Sequence, residues 1–311
     1  MKATGITKTC CPACGSPSEK STKRIVSVKK DRSSPGFTYV ECSFCSTIYN
    51  WNAFSAEELS NYHAKFWHSS GFFSYGERSL DRQVGQLRSV MSVVLEKCRI
   101  TDKGSHLDLG SGEGSLCEAM RHLEFKTIGI EPSAVAVLSA QTRYPSIDFV
   151  CGSIESTLSK YGRFNLITLI DVIEHVADPE LVLIELTKHL EEDGVLLLRF
   201  PISKSLQLEY LAEYANLFMP PFHNTLFSKP GFKAICTKLG LNVVYEFPTI
   251  NAYGYTKSLA EKLDLLDDYR EWRKSDKFKQ FDLALDNWFE SIAENTGKPA
   301  TVFCALKKIN H

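Results

Sequence analysis

The order of apolar and polar positions changes character along the chain. From about residue 104, short apolar runs alternate with helical patterns. The strand-like runs are 106–109, 127–130, 147–150, 164–170 and 195–200. Helical patterns separate them, as in "DPELVLIELTKHL", where Asp178 is placed as N-cap and Pro179 opens the first turn. Strands alternating with helices predict a parallel sheet covered on both faces. A helix over 228–239, a strand over 241–247 and a last strand over 300–307 follow. About fifty mostly helical residues separate those two strands, long for a connection, and predict a lid or substrate-side insertion at 249–299.

The first hundred residues read differently. Residues 51–103 predict helices. Ser55 and Glu58 have capping-box spacing, and Leu80, Val84, Leu87, Met91 and Leu95 recur at helical intervals. An aromatic-rich run holds Tyr62, Phe66, Trp67, Phe72, Phe73 and Tyr75. Residues 1–50 carry short β-like runs at 24–28 and 37–40. The expected division is a small module at 1–50, a helical cap at 51–103, and an α/β domain at 104–311 with the helical insertion.

Composition narrows the reading. The chain has 311 residues, 43% hydrophobic and 23% charged, with net charge −1. This is ordinary for a soluble domain and gives no global basic excess for a nucleic-acid partner. No apolar run approaches a membrane span and no secretory core stands at the N-terminus, so a cytoplasmic protein without a membrane partner is expected. The charges within 267–290 are expected on a solvated helix face, in a segment able to supply an acceptor wall or a dimer contact. Nothing fixes the oligomeric state.

The ten cysteines divide evenly. Cys98, Cys117, Cys151, Cys236 and Cys304 stand singly among apolar residues and read as buried thiols. The other five crowd the N-terminus. Cys11 with Cys14, and Cys42 with Cys45, form two C-x2-C pairs, able to place four thiolates around one ion. Cys10 stands beside Cys11, but the "CPACG" knuckle selects Cys11. A closed four-thiolate set means a structural Zn²⁺ and no chemistry; the module resembles a zinc ribbon.

Two stretches carry candidate chemistry. "HLDLGSGEGS" puts Asp108, Gly110, Ser111, Gly112 and Gly114 where the first strand of the alternating region turns into a helix. Glycines there let a ligand approach the backbone closely. The dinucleotide pattern fits poorly, because Ser115 stands in the third glycine's place, and the Lys of a P-loop is absent. "DVIEHV" places Asp171, Glu174 and His175 at the end of an apolar strand, an expensive position for charge unless something uses it.

D-x-G-x-G-x-G resembles the first motif of class I S-adenosylmethionine-dependent methyltransferases. Further motifs follow in the family's order: "IGIEP" with Glu131 and Pro132, "FVCGSIE" with Ser153 and Ile154, "FNLITLIDVIEHVADP", and "LEEDGVLLLRFP". The resemblance implies a Rossmann-like, doubly wound sheet with a final antiparallel strand. It implies an enzyme moving a methyl group from S-adenosylmethionine to a small-molecule acceptor. Glu131 would hold the ribose hydroxyls, Ser153 and Ile154 would border the adenine, and Asp171 would border the cofactor. The family's usual Asp is Ser153 here, and its common "FD" is Phe164-Asn165.

His175 suits a general base for a hydroxyl acceptor, or a loop-shaping hydrogen bond. "EH" at this position is similar to the ubiquinone-biosynthesis O-methyltransferases, which implies a divalent cation held by Asp171, Glu174 and His175 as an alternative. His223, in "PPFHNTLFS", is the second candidate base or substrate contact, against a loop-stabilising role. Acceptors range from a hydroxyl of a sugar or specialised metabolite to carbon or nitrogen. The competing class is a zinc-ribbon protein that modifies or binds protein or RNA.

Overall fold

Seven strands form the sheet that the alternating pattern predicts. The computed structural model describes residues 8–28, 37–51, 55, 57–59, 77–101, 103–219, 222–249 and 255–309. The aromatic run at 62–75 lies outside them. The strands are β1 (Thr22–Val28), β2 (Phe37–Cys42), β3 (Ile48–Asn50), β4 (Ser105–Leu109), β5 (Lys126–Glu131), β6 (Asp148–Cys151), β7 (Phe164–Ile170), β8 (Leu190–Pro201), β9 (Thr225–Leu226), β10 (Leu241–Thr249) and β11 (Thr301–Lys308). The larger sheet runs β10-β11-β8-β7-β4-β5-β6. β4 pairs in parallel with β5 and β7, β5 with β6, and β7 with β8.

The last strand reverses. Lys308, at the end of β11, donates to the carbonyl of Leu190, which opens β8. Ile309 N–H donates to Gly240, just before β10. β11 therefore runs against both neighbours. This is the expected Rossmann-like sheet closed by an antiparallel strand.

Helices α1 (Glu77–Lys97), α2 (Ser115–Arg121), α3 (Ala134–Arg143) and α4 (Pro179–Lys188) precede and connect the parallel strands. α1 buries Val84, Met91 and Leu95, as its spacing predicts. Asp178 caps α4, its carboxylate accepting from the N–H groups of Glu180 and Leu181. The Ser55–Glu58 capping box closes reciprocally, at 2.8 and 3.1 Å. Asn165, where the family usually has Asp, accepts from Ser105 N–H at 2.8 Å and so pins the start of β4 to β7.

The chain forms two compact units. One draws on 54–199, 235–246 and 304–311, the other on 1–53, 200–234 and 247–303. The core of the first includes Val84, Cys117, Val137, Ala140, Tyr144 and Phe149.

The second unit joins the cysteine-bearing segment to two distant stretches. A four-stranded sheet runs β1-β2-β3-β9, so the short strand Thr225–Leu226 completes the N-terminal sheet. Ile48 pairs with Leu226, and Tyr49 with Thr225. Tyr39, Ile48, Leu211, Phe218, Leu226 and Tyr255 form one core. The helices of this unit include α5 (Leu206–Leu211), α6 (Lys229–Lys238), which belongs in part to the first unit, α7 (Tyr255–Lys262), α8 (Leu266–Trp272) and α9 (Asp276–Asn295).

Two sequence expectations need correction. Cys151 is exposed, unlike Cys98, Cys117, Cys236 and Cys304. It ends β6, an edge strand. The charges of 267–290 do not all face solvent either. Asp282, Asp286 and Glu290, four residues apart on α9, are buried, while Phe281 and Trp288 are more than half exposed. Hydrogen bonds make that burial tolerable. Tyr269 Oη donates to Asp282 at 2.9 Å, Thr256 N–H to Asp286 at 2.9 Å, and Ala300 N–H to Glu290 at 3.2 Å.

Candidate active site

Carboxyl ends of β4, β5, β6 and β7 carry most of the predicted site, and all belong to one unit. Ligands of open α/β sheets bind beyond such ends. The glycine loop leaves β4 and reaches α2 with Gly114 as its N-cap. Gly110 and Ser111 N–H groups both donate to the carbonyl of Ile130, at 2.8 and 3.2 Å, so the loop folds over the end of β5. Gly110 has φ +74°, and a Cβ there would meet Val172 Cγ2 at 2.5 Å. Gly112 has φ +52°, and its missing Cβ points into open space. That opening leaves the backbone accessible to a ligand. The Ser111 hydroxyl turns the other way, toward Gly129.

Glu131 links the loop to the next helix. Its carboxylate accepts from Gly112 N–H at 3.1 Å and from Ser133 N–H at 2.9 Å. Burial pushes this carboxyl up, and the two N–H groups partly offset that. Pro132 is exposed beside it, and Ser153 and Ile154 are half-buried where β6 enters a helical turn, Ile154–Thr157. The structure thus brings the predicted loop, Glu131 and Ser153–Ile154 to neighbouring strand ends.

"DVIEHV" has a more particular geometry than its sequence shows. Asp171 adopts φ +57°, a left-handed conformation that Asp tolerates. Arg199, on β8, grips its carboxylate with two nitrogens: Nε donates to Oδ1 at 2.9 Å and Nη2 donates to Oδ2. Glu174 is 1% exposed, and its Oε2 has no hydrogen-bond partner among the described residues. Burial, and then the Asp171 charge, hold the Glu174 carboxyl well above the ordinary range. His175 N–H donates to Val172 O at 2.9 Å, and its Nε2 lies 3.9 Å from Glu174 Oε1. His175 remains partly open to solvent.

Sequence reasoning missed Arg199, whose only signal was a lone cation in an apolar strand. It also missed the bond between His106 and Thr168, strand residues as expected, whose side chains meet at 2.9 Å.

The remaining predicted residues belong to the other unit. His223 is buried, and its Nδ1 lies 2.7 Å from the carbonyl of Leu217. A carbonyl only accepts, so Nδ1 carries a proton. Tyr39 Oη donates to the His223 carbonyl at 2.7 Å.

Cys11, Cys14, Cys42 and Cys45 bring their sulfurs within 4.8 Å of one another. Cys10 is exposed and outside the group. Cys11 and Cys45 sulfurs lie 3.7 Å apart, and those of Cys14 and Cys42 3.6 Å. Tetrahedral Zn²⁺ with bonds of about 2.3 Å requires sulfurs about 3.8 Å apart, so the set fits that ion. The hydrogen bond between Cys11 and Cys45, and then burial, push the Cys11 thiol up, while that bond holds Cys45 down to about 5. A cation would let all four ionise.

A family profile described as a methyltransferase domain matches residues 80–246. The chain belongs to that family, the class I S-adenosylmethionine-dependent methyltransferases. It resembles the ubiquinone biosynthesis O-methyltransferase of Nitrobacter winogradskyi, 37% identical over 94 residues, which are 29% of this chain and 36% of that protein. The protein of the same name from Chelativorans is 32% identical over 122 residues, 37% of this chain and 48% of the relative. The chain thus spans less than half the length of these relatives. Among solved structures, magnesium protoporphyrin IX methyltransferase from Synechocystis has a TM-score of 0.47 at 20% identity, covering 61% of this chain and 92% of that one. An S-adenosylmethionine-dependent methyltransferase from Clostridium acetobutylicum has 0.49 at 12%, covering 80% and 100%. Among the described residues no helix is long and apolar enough to cross a membrane.

Proposed function

We propose that the protein transfers a methyl group from S-adenosylmethionine to a hydroxyl of a small molecule, a sugar or specialised metabolite. The observation that carries this reading is the open glycine loop, with Glu131 bonded to Gly112 at its edge. Names of the partial relatives favour oxygen as the acceptor atom.

In this reading the backbone of Gly110, Ser111, Gly112 and Gly114 cradles the cofactor's amino-acid tail, above Asp108. Glu131 takes the ribose hydroxyls, and Pro132, Ser153 and Ile154 flank the adenine. The cofactor supplies an electrophilic methyl carbon on a sulfonium leaving group. Attack by the acceptor oxygen breaks the carbon–sulfur bond, leaves that electron pair on sulfur, and releases the hydroxyl proton. His175 takes that proton, or His223 does. Holding acceptor and donor in line supplies most of the acceleration.

Glu174 and His175 face the acceptor. Asp171 borders the cofactor through its fixed pair with Arg199. A cation bound by Asp171 would share that carboxylate with the Arg199 guanidinium, whose like charge weighs against the divalent-cation alternative. The four thiolates hold a structural Zn²⁺.

The test is S-adenosylhomocysteine formation with a panel of catechols, sugars and amines, with chelator and with added Mg²⁺. Turnover confined to hydroxyl acceptors and indifferent to both additions is expected. Turnover only with amines would overturn the acceptor assignment, and a strict Mg²⁺ requirement would restore the cation.

A further inference from the structure

A line of hydrogen bonds crosses three strands beneath the glycine loop. His106 and Asp108 are two residues apart on β4 and so share a face. Strand register places Thr127 of β5 beside His106, and Thr168 of β7 beside Asp108. Thr168 Oγ1 lies 2.7 Å from Asp108 Oδ1 and 2.9 Å from His106 Nε2. Thr127 Oγ1 lies 3.3 Å from His106 Nδ1.

With Asp108 ionised, the direction of this line is fixed. An ionised Asp108 only accepts, so the Thr168 hydroxyl donates to it. The Thr168 oxygen then accepts from His106 Nε2–H, and His106 Nδ1 accepts from Thr127. His106 cannot serve as a counter-cation, because burial holds its ring down to about 3 and keeps it neutral. The other groups facing Asp108 are the Cys117 thiol of α2, at 3.7 Å, and the like charge of Glu131 at the end of β5. Asp108 is 2% exposed, and no cation is bonded to it among the described residues.

We propose that His106 and Thr168 are positioning residues of the cofactor site, whose hydrogen-bond line sets the protonation of Asp108 and thereby couples cofactor binding to pH. The proposal rests on the methyltransferase reading. Burial pushes Asp108 up to about 7, with the Thr168 and Cys117 hydrogen bonds opposing it and the Glu131 charge adding to it. Asp108 stands two residues before Gly110, at the root of the loop. A ligand with a cationic amino group favours the ionised form, so binding below about pH 7 expels a proton. Affinity therefore rises with pH through that window. Removing the Thr168 donor raises the Asp108 carboxyl further and moves the rise to higher pH.

The test is titration calorimetry of the full chain with S-adenosylhomocysteine from about pH 5.5 to about pH 8, in two buffers of different ionisation heat. Wild type is expected to release up to one proton on binding. Its affinity should rise toward a plateau, by up to about tenfold per pH unit below the midpoint. Thr168→Val should move the midpoint up by roughly one pH unit, Thr168→Ser should restore it, and His106→Phe should shift it less. Asp108→Asn should flatten the profile. Melting curves identify variants that fail to fold, and the Ser variant keeps the test available. A uniform affinity loss in Thr168→Val with an unmoved midpoint would reduce the line to structure and overturn the proposal. So would a flat wild-type profile. Absence of binding at every pH would instead overturn the methyltransferase reading itself, and this proposal with it.

Discussion

At single residues, the site divides into positions defined by space and positions defined by charge. Gly112 is the clearest of the first kind. Its Cβ would meet no protein atom, so Gly112→Val adds a side chain only where a ligand would lie. We expect S-adenosylhomocysteine affinity to fall at least about a hundredfold, while a left-handed β-branched residue lowers stability by about 1–3 kcal/mol. Gly110→Ala presses on Val172 and should lower the melting temperature as well. His175 is of the second kind. His175→Ala should cut turnover by about a hundredfold or more, with cofactor affinity unchanged. An unchanged rate would leave His223 as the base. Legibility follows the same division. The glycines and "DVIEHV" were visible because local spacing carries them. Arg199, His106 and Thr168 were not, because their partners are 28 and 62 residues away in sequence.

Among the elements, the N-terminal module is tied to the His223 segment. β3 pairs with β9, Asn50 N–H donates to the Asn224 carbonyl at 2.8 Å, and Ser228 Oγ donates to the Cys45 carbonyl. Metal at the four cysteines would therefore stabilise residues beyond the module. Zinc near one per chain is expected by elemental analysis. Cys42→Ser should lower both zinc content and turnover while S-adenosylhomocysteine binding persists. Zinc-free protein with full activity and an unchanged melting temperature would contradict this. The C-x2-C pairs were plain in the sequence, and so were the strands of the parallel sheet. The joining strand was not, because Thr225–Leu226 is too short to carry a period. Nor was the inverted face of α9, because a pattern of charges does not show which of them find buried partners.

Across the whole molecule, buried carboxyls set the response to pH. Burial pushes Asp108 and Glu290 up to about 7, and raises Glu131 and Glu174 as well. Each binds more protons folded than unfolded. For Asp108 and Glu290 that contribution is full below about pH 4 and is lost as pH rises through about 7, and Glu131 and Glu174 act in the same sense. Buried His106, held down to about 3, acts in the opposite sense below about pH 6.5, and depressed carboxyls such as Glu118, held down first by Arg121, do so at lower pH. We expect the melting temperature to fall between about pH 5 and about pH 7.5. Each fully titrating group adds up to about 1.4 kcal/mol per pH unit to that fall. Glu290→Gln keeps the acceptor for Ala300 N–H and should flatten part of the slope. An identical slope in that variant would remove Glu290 from this account.

The central claim is that the open loop beyond β4 binds an S-adenosyl cofactor. Titration calorimetry of the purified chain with S-adenosylhomocysteine at about pH 8 tests it most directly. We predict one site per chain with a dissociation constant in the micromolar range, lost in Gly112→Val and retained in His175→Ala. No heat of binding at millimolar ligand, from protein shown to be folded, would contradict it.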